Sequence, residues 1–267
     1  MSDLNLSLDA IRSKCAARLL ALYKQANAGH IGSSLSCLEI LVELCFQRMG
    51  KEDLIILSKG HAAGALYTTL SLSGRLPEAN LESFYKEGTL LAAHPPCSGE
   101  LKAIPFGTGS LGHGLSLACG LAFSQRFTGK NFQVYVILSD GDCNEGSTWE
   151  AVLFAAHHQL VNLTVIVDLN GIQGIGYTHD VLKLEPMTEK WRAFGFAVVV
   201  AENGNDFASL VQAHDQLRNS KGPRCIIART IKGHGISYMQ NQIEWHYLPM
   251  KDEQYVQALD EIRAAGL

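Results

Sequence analysis

The chain has 267 residues, 47% of them hydrophobic and 18% charged, enough apolar side chain to bury a sizeable core and too little charge for a disordered chain. A formal net charge of −4 excludes the basic footprint that would hold nucleic acid or an anionic membrane surface. Seven cysteines, an odd number with no C-x-x-C pair, fit a reducing, cytoplasmic setting better than a disulfide framework.

Met1-Ser2-Asp3-Leu4-Asn5 has neither the basic nor the apolar region of a secretory leader. The longest apolar runs, such as Phe196 to Ala201, are too short to span a bilayer. Leu8, Ile11, Cys15, Leu19, Leu22 and Ala26 recur at helical spacing behind a capping Ser7, and the helix stops at Asn27-Ala28-Gly29. A second helix is predicted from about Leu35 to Phe46. Leu54 to Leu57 is a short strand that leads through Ser58-Lys59-Gly60-His61 into an Ala-rich helix, Ala62 to Leu72. Residues 86 to 113, rich in Gly, Pro, Ser and His, predict irregular loops, and helix resumes from Leu115 to Phe127.

Val134 to Leu138 and Leu163 to Val167 read as buried strands around a helix, Thr148 to His158; this is a βαβ unit, whose crossover makes the strands parallel. Phe196 to Ala201 and Cys225 to Ala228 read as further strands, with a late amphipathic helix that carries His214. Alternation of this kind predicts an α/β fold: a doubly wound, mostly parallel sheet with helices on both faces, and ligands outside the carboxyl ends of the strands. Gly-His occurs four times, at Gly29-His30, Gly60-His61, Gly112-His113 and Gly233-His234, but at unequal spacings and with unlike flanks, so it is no repeat. No linker or low-complexity stretch divides the chain, and residues 1–267 read as a single domain.

Two strand ends carry the most information. Ser139-Asp140-Gly141-Asp142-Cys143-Asn144-Glu145-Gly146 follows one strand of the βαβ unit and Asp168-Leu169-Asn170-Gly171-Ile172 ends the other, with Asn170 30 residues after Asp140. A carboxylate, an amide carbonyl and Gly-rich turns therefore meet at one sheet edge, a set of oxygen donors suited to Mg²⁺ shared with phosphate. Asp-Gly and Asn-Gly are also common turn formers, so these residues alone leave a plain turn open.

The two segments resemble the thiamine diphosphate motif of the transketolase family, with Ser139 where that motif has its first Gly. The resemblance implies that Asp140 and Asn170 give side-chain oxygens, and Ile172 its backbone carbonyl, to Mg²⁺ (or Ca²⁺ or Mn²⁺), and that the Gly141 amide and Asn170 meet the diphosphate of thiamine diphosphate. Four histidine segments resemble the same family: Gly29-His30, Lys59-Gly60-His61, Ala93-His94-Pro95 and Trp245-His246. They imply that His30 and His246 hold the oxygens of a donor sugar, that His94 meets its terminal hydroxyl and that His61 contacts the diphosphate. Histidine suits such work because it donates, accepts and moves protons near neutral pH.

Gly107-Thr108-Gly109-Ser110-Leu111-Gly112-His113-Gly114 resembles the family's loop under the aminopyrimidine. The Gly109 carbonyl would accept from the amino group and Leu111 would pack on the ring, while His113 departs from the Gln common there. His157, His158, His179 and His214 read as surface or packing residues, and His234 as a solvated turn residue.

The resemblance runs from about Ile11 to Tyr247 and covers only the family's first domain, since too few residues follow His246 for a second. It implies that the glutamate and the aromatic residue which serve the pyrimidine come from a separate polypeptide, in a two-plus-two assembly with Glu145, and with Glu150 beside it, in a carboxylate network at the interface. The implied activity is ketol transfer from a ketose donor to an aldose acceptor, absent without the partner. The diphosphate-binding subunit of a 2-oxoacid dehydrogenase, which would not need all four histidines, and a non-catalytic scaffold are the competing readings. A zinc hydrolase finds no support, since no H-E-x-x-H occurs. Gln173-Gly174-Ile175-Gly176-Tyr177 and Trp245-His246-Tyr247 depart from the family's usual sequences and hint at a specialised sugar.

Overall fold

A computed structural model describes residues 6–265; Met1–Asn5, read above for a leader, lies outside the described residues. Five strands form one all-parallel sheet in the order β1-β2-β3-β5-β4: β1 (Leu54–Leu57), β2 (Val134–Ser139), β3 (Leu163–Leu169), β4 (Ala197–Ala201) and β5 (Arg224–Arg229). The chain steps from β1 to β3, passes to the outer edge for β4 and returns to fill the gap with β5. Val134, Val136 and Leu138 of β2 face one helical layer, while Tyr135 and Ile137 face the other, as a period of two requires. Both faces are covered, which explains why β2 is buried at every position.

One layer holds α1 (Leu8–Ala26), α3 (Leu38–Glu43), α4 (Ala63–Leu72), α10 (Phe207–Leu217) and α11 (Asp252–Ala264). The other holds α5 (Gly114–Thr128), α7 (Gly146–His157) and α9 (Met187–Ala193), whose Trp191 is fully buried. The short α2 (Ile31–Ser36), α6 (Asp140–Asn144) and α8 (Thr178–Val181) lie around the carboxyl ends of the strands. Among the described residues no helix is long and apolar enough to cross a membrane.

Ser7 caps α1 as its position predicts, its Oγ accepting from Ala10 N at 3.2 Å, and Asn27 closes the helix in the left-handed region at φ 48°. The helix predicted over 35–46 is instead α2 and α3, broken at Cys37, with a π turn at Leu44–Arg48. The break falls where side chains turn away from a regular helix: Cys37 Sγ turns back onto the Ser33 carbonyl, competing with the helical ladder, and Ser36 Oγ donates to Asp168 at 2.6 Å. Over 86–113 the chain is irregular, as its Gly, Pro and Ser content predicts, and no regular helix or strand forms before α5. Helix α6 was not foreseen. Its cap is a reciprocal box in which Ser139 Oγ accepts from Asp142 N and Asp142 Oδ2 accepts from Ser139 N at 2.8 Å, which gives the serine in the motif a structural task.

Candidate active site

The register of β2 against β3 pairs Ser139 with Asp168, so Asp140, one residue further along, and Asn170, two residues further, meet beyond the sheet edge. The Asp140 carboxylate accepts from Asn170 N at 3.2 Å, from Gly171 N at 2.9 Å and from the Thr178 hydroxyl. Burial raises its pKa to about 6, against those hydrogen bonds, and so works against its negative charge. Asn170 Oδ1 accepts from Ile172 N at 3.0 Å, and the Ile172 carbonyl accepts from Lys232 Nζ at 3.2 Å.

Asp140, Gly141, Asn170 and Ile172 line one cleft of about 570 Å³ together with Ser33, Lys59, His61, Leu111 and His246. The donor set fits a hard dication: one buried carboxylate short of positive charge, one amide oxygen and one carbonyl. A Cβ on Gly141 would stand 2.8 Å from Leu111 Cδ1, so any larger residue would have to displace the Leu111 side chain that faces this turn. The chemistry of the donors and the cradle at Gly141 therefore suit a metal-bound diphosphate. Among the described residues no three His, Cys, Asp or Glu side chains form a metal-binding group of their own.

Beneath the cleft lies a charge pair that no sequence motif announces. Lys59 Nζ meets Asp168 Oδ2 with both side chains fully buried, and Ser36 Oγ and the Thr230 hydroxyl donate to the same carboxylate. Burial pushes the Lys59 pKa down, but Asp168 more than offsets this and holds the ammonium above its ordinary value. Asp142 is the other missed residue. Its carboxylate accepts from Ser58 Oγ at 2.6 Å and from Gly112 N at 2.8 Å, which ties the turn after β1 and the loop before α5 to the turn after β2.

The four expected histidines converge. Ring centroids lie 5.0 Å apart for His30 and His246, 5.2 Å for His61 and His246, 5.6 Å for His30 and His61 and 6.1 Å for His30 and His94. His30 N donates to the His246 carbonyl at 3.1 Å, and Tyr67 Oη donates to the His94 carbonyl at 3.0 Å, so backbone contacts seat three of the rings. Burial, followed by the charge of neighbouring imidazoles and lysines, lowers the pKa of His30 to about 4 and of His246 to about 3; His61 falls well below its ordinary value and His94 also moves down. All four are neutral at neutral pH, each with one donor and one acceptor nitrogen.

Lys232 Nζ stands 3.1 Å from His246 Nδ1. Burial, helped by Lys59, lowers its pKa to about 8, so it is mostly an ammonium at pH 7 and donates. His246 Nδ1 must then accept, which puts the ring proton on Nε2. Lys59 and Lys232 both stand directly before a Gly-His pair, and a lysine in that setting is the signal the sequence offers for them.

Gly109 has φ 139°, and a Cβ there would lie 2.8 Å from His94 Cδ2, so the loop residue expected under the pyrimidine also shapes the histidine wall. Leu111 lines the cleft, whereas His113 is exposed at the head of α5. Glu145 lines the cleft mouth and Glu150 is exposed on α7. His214 is a packing residue against Glu43 and Tyr135. His234 is solvated only in part: its side chain is 29% exposed, but its Nδ1 is 2.9 Å from Glu39 Oε1, a contact that exists because α3 delivers a buried carboxylate to the turn.

Residues 10–263 match the family model described as transketolase, thiamine diphosphate binding domain. The chain is 36% identical over 276 residues to one of the subunits of the apulose-4-phosphate transketolase of Actinobacillus succinogenes, a match that covers 98% of this chain and 99% of the relative. It is 35% identical over 248 residues to the 6-deoxy-6-sulfo-D-fructose transketolase subunit SqwG of Clostridium sp. (strain MSTE9), over 89% of this chain and 90% of the relative. Among solved structures, transketolase from Campylobacter jejuni superposes with a TM-score of 0.87 at 28% identity, over 97% of this chain but 43% of that one.

Proposed function

The chain belongs to the transketolase family, in its thiamine diphosphate binding domain, and from that premise we propose that residues 1–267 form a single domain acting as the diphosphate-binding subunit of a two-chain, cytoplasmic enzyme. Its reaction is the transfer of a two-carbon ketol unit from a ketose to an aldose. The observation that carries this reading is the meeting of two unlike groups in one cleft: the oxygen set of Asp140, Asn170 and Ile172, and the neutral imidazoles of His61 and His246, against which His30 and then His94 pack.

Thiamine diphosphate, when bound, supplies the nucleophilic carbon that carries the two-carbon unit. Asp140, Asn170 and the Ile172 carbonyl would hold Mg²⁺ (or Ca²⁺ or Mn²⁺), and Gly141, His61 and Asn170 would meet the diphosphate. The Gly109 carbonyl and Leu111 would seat the pyrimidine. His246, with its proton on Nε2, would offer a hydrogen bond to a donor-sugar oxygen, His30 faces the His246 ring at 5.0 Å, and His94, 6.1 Å from His30, would meet a terminal hydroxyl. Neutral rings suit hydroxyl substrates, since each can both donate and accept without carrying charge into a buried site.

The relatives whose names make them transketolase subunits are matched over nearly their whole length, and the transketolase of Campylobacter jejuni over less than half of its chain. This supports a separate partner that carries the pyrimidine-binding domain; the proposed assembly holds two copies of each chain, with Glu145 and Glu150 at the interface. The test is a ketose–aldose transfer assay on this chain alone, then with the product of an adjacent reading frame. Turnover is expected only in the mixture, and robust turnover by the chain alone would overturn the two-chain reading.

A further inference from the structure

Glu39 is a buried carboxylate, 2% exposed, that does not line the cleft and takes no part in the proposed chemistry. Burying such a charge is costly unless several partners compensate it. Here Arg12 Nε donates to Oε1 at 2.8 Å, His234 Nδ1 meets the same oxygen at 2.9 Å, and Asn205 Nδ2 donates to Oε2 at 2.9 Å. Although burial pushes the Glu39 pKa up, Arg12, His234 and Asn205 hold it below the usual carboxylate range.

All these partners converge on the turn after β5. Asn205 Oδ1 accepts from Ile231 N at 2.8 Å and Arg12 Nη2 donates to the His234 carbonyl at 3.0 Å. Gly233 N donates to the Gly32 carbonyl at 2.9 Å, and Thr230 donates to Asp168. A Cβ on Gly235, at φ 87°, would lie 2.5 Å from Arg12 Nη2, so the turn has no slack on that side. The residue inside these anchors is Lys232, whose Nζ bonds both the Ile172 carbonyl and His246. Asn205 Nδ2 also donates to the Ser36 carbonyl, and Ser36 Oγ accepts from Asn170 Nδ2 at 3.2 Å.

We propose that His234 and Glu39 are positioning residues: from behind the cleft they clamp the Thr230–Gly235 turn and so set Lys232, and through it the Ile172 carbonyl and His246, in the geometry that receives the cofactor and the sugar. The proposal rests on the cofactor reading given above, and its test separates the two. In the complex with its complementing subunit, His234→Ala and Glu39→Gln should each raise the Kd for thiamine diphosphate, titrated with Mg²⁺, by about tenfold, the lower range for losing a group that orients metal ligands. His234→Gln, which keeps a side-chain N–H donor, should restore most of the affinity.

In the free chain, ¹⁵N-histidine spectra should show the His246 ring signals displaced by His234→Ala without any cofactor present. A lowered melting temperature with unchanged Kd and an unmoved His246 signal would mean a merely structural role and would overturn the proposal. If His234→Ala does not fold, His234→Gln and Glu39→Gln are read by the same two measurements. Failure of the wild-type complex to bind thiamine diphosphate would sink the cofactor reading, and the His246 signal would still decide the clamp.

Discussion

At the floor of the cleft, Lys59 and Asp168 carry full charges in a place water does not reach; on the wall above, His30, His61, His94 and His246 are buried to a lesser degree and held neutral. The difference lies in partners. Asp168 has Lys59, Ser36 and Thr230 around it, so its charge is compensated bond by bond. The imidazoles lack any such partner: burial works first against a proton on each of them, and for His30, His61 and His246 the neighbouring rings and lysines add to it. On the proposed function, the cleft would thus seat a metal-bound diphosphate on a charged base, next to a neutral surface for hydroxyl groups. The buried pair specifies where the strand ends sit, and the histidines specify what is read above them.

The largest effect should come from unbalancing the floor. Lys59→Met leaves Asp168 buried without its cation, and chemical denaturation should show a loss of about 3 to 5 kcal/mol. Adding Asp168→Asn should recover part of that loss; if the double variant is as unstable as the single one, the pair is not what holds the floor. Next in size, Asp140→Ala removes the charged member of the metal set, and calorimetric titration of thiamine diphosphate with Mg²⁺ and the partner subunit should show affinity weakened by about 2 to 5 kcal/mol. Unchanged affinity would remove Asp140 from the metal assignment.

Substitution on the wall should separate turnover from cofactor binding. His246→Ala and His94→Ala are expected to lower kcat/KM about a hundredfold, in the range for losing a group that positions or transfers a proton, while cofactor affinity stays close to wild type. An equal loss of both would erase the division between floor and wall. The smallest effect is on stability against pH. The folded-state pKa values of His30 and His246, about 4 and about 3, lie below the ordinary 6.5, so the unfolded chain takes up protons first as the pH falls. Their neutrality therefore costs stability progressively from about pH 6.5 down to the folded values and no further below them. Asp140, raised to about 6, works in the opposite sense, so the informative quantity is the difference between wild type and a His30→Asn/His246→Asn variant. The variant's melting temperature should depend less on pH across that window; parallel curves would mean that the two rings are not held neutral.

Much of this was legible in the amino-acid order. Side-chain periodicity is a local property, so α1, β2, β3 and α7 stand within two residues of their expected ends, and the strand-end placement of Asp140 and Asn170 follows from the βαβ unit. Asp-Gly and Asn-Gly alone could have been plain turns; it was the family resemblance of the two segments that gave their residues roles. The break between α2 and α3 was hidden because Ser36 and Cys37 make hydrogen bonds, to Asp168 and to the Ser33 carbonyl, that apolar spacing does not encode.

What only the tertiary structure decided is the company each polar residue keeps. Lys59-Gly60-His61 and Lys232-Gly233-His234 are alike as local sequence. Yet His61 faces the cleft, while His234 turns behind it to a carboxylate on α3. Lys59 reaches Asp168 across 109 residues of chain and Lys232 reaches Ile172 across 60. The free energy of a buried charge depends on partners brought from afar by the packing of the sheet, and no local pattern carries that information.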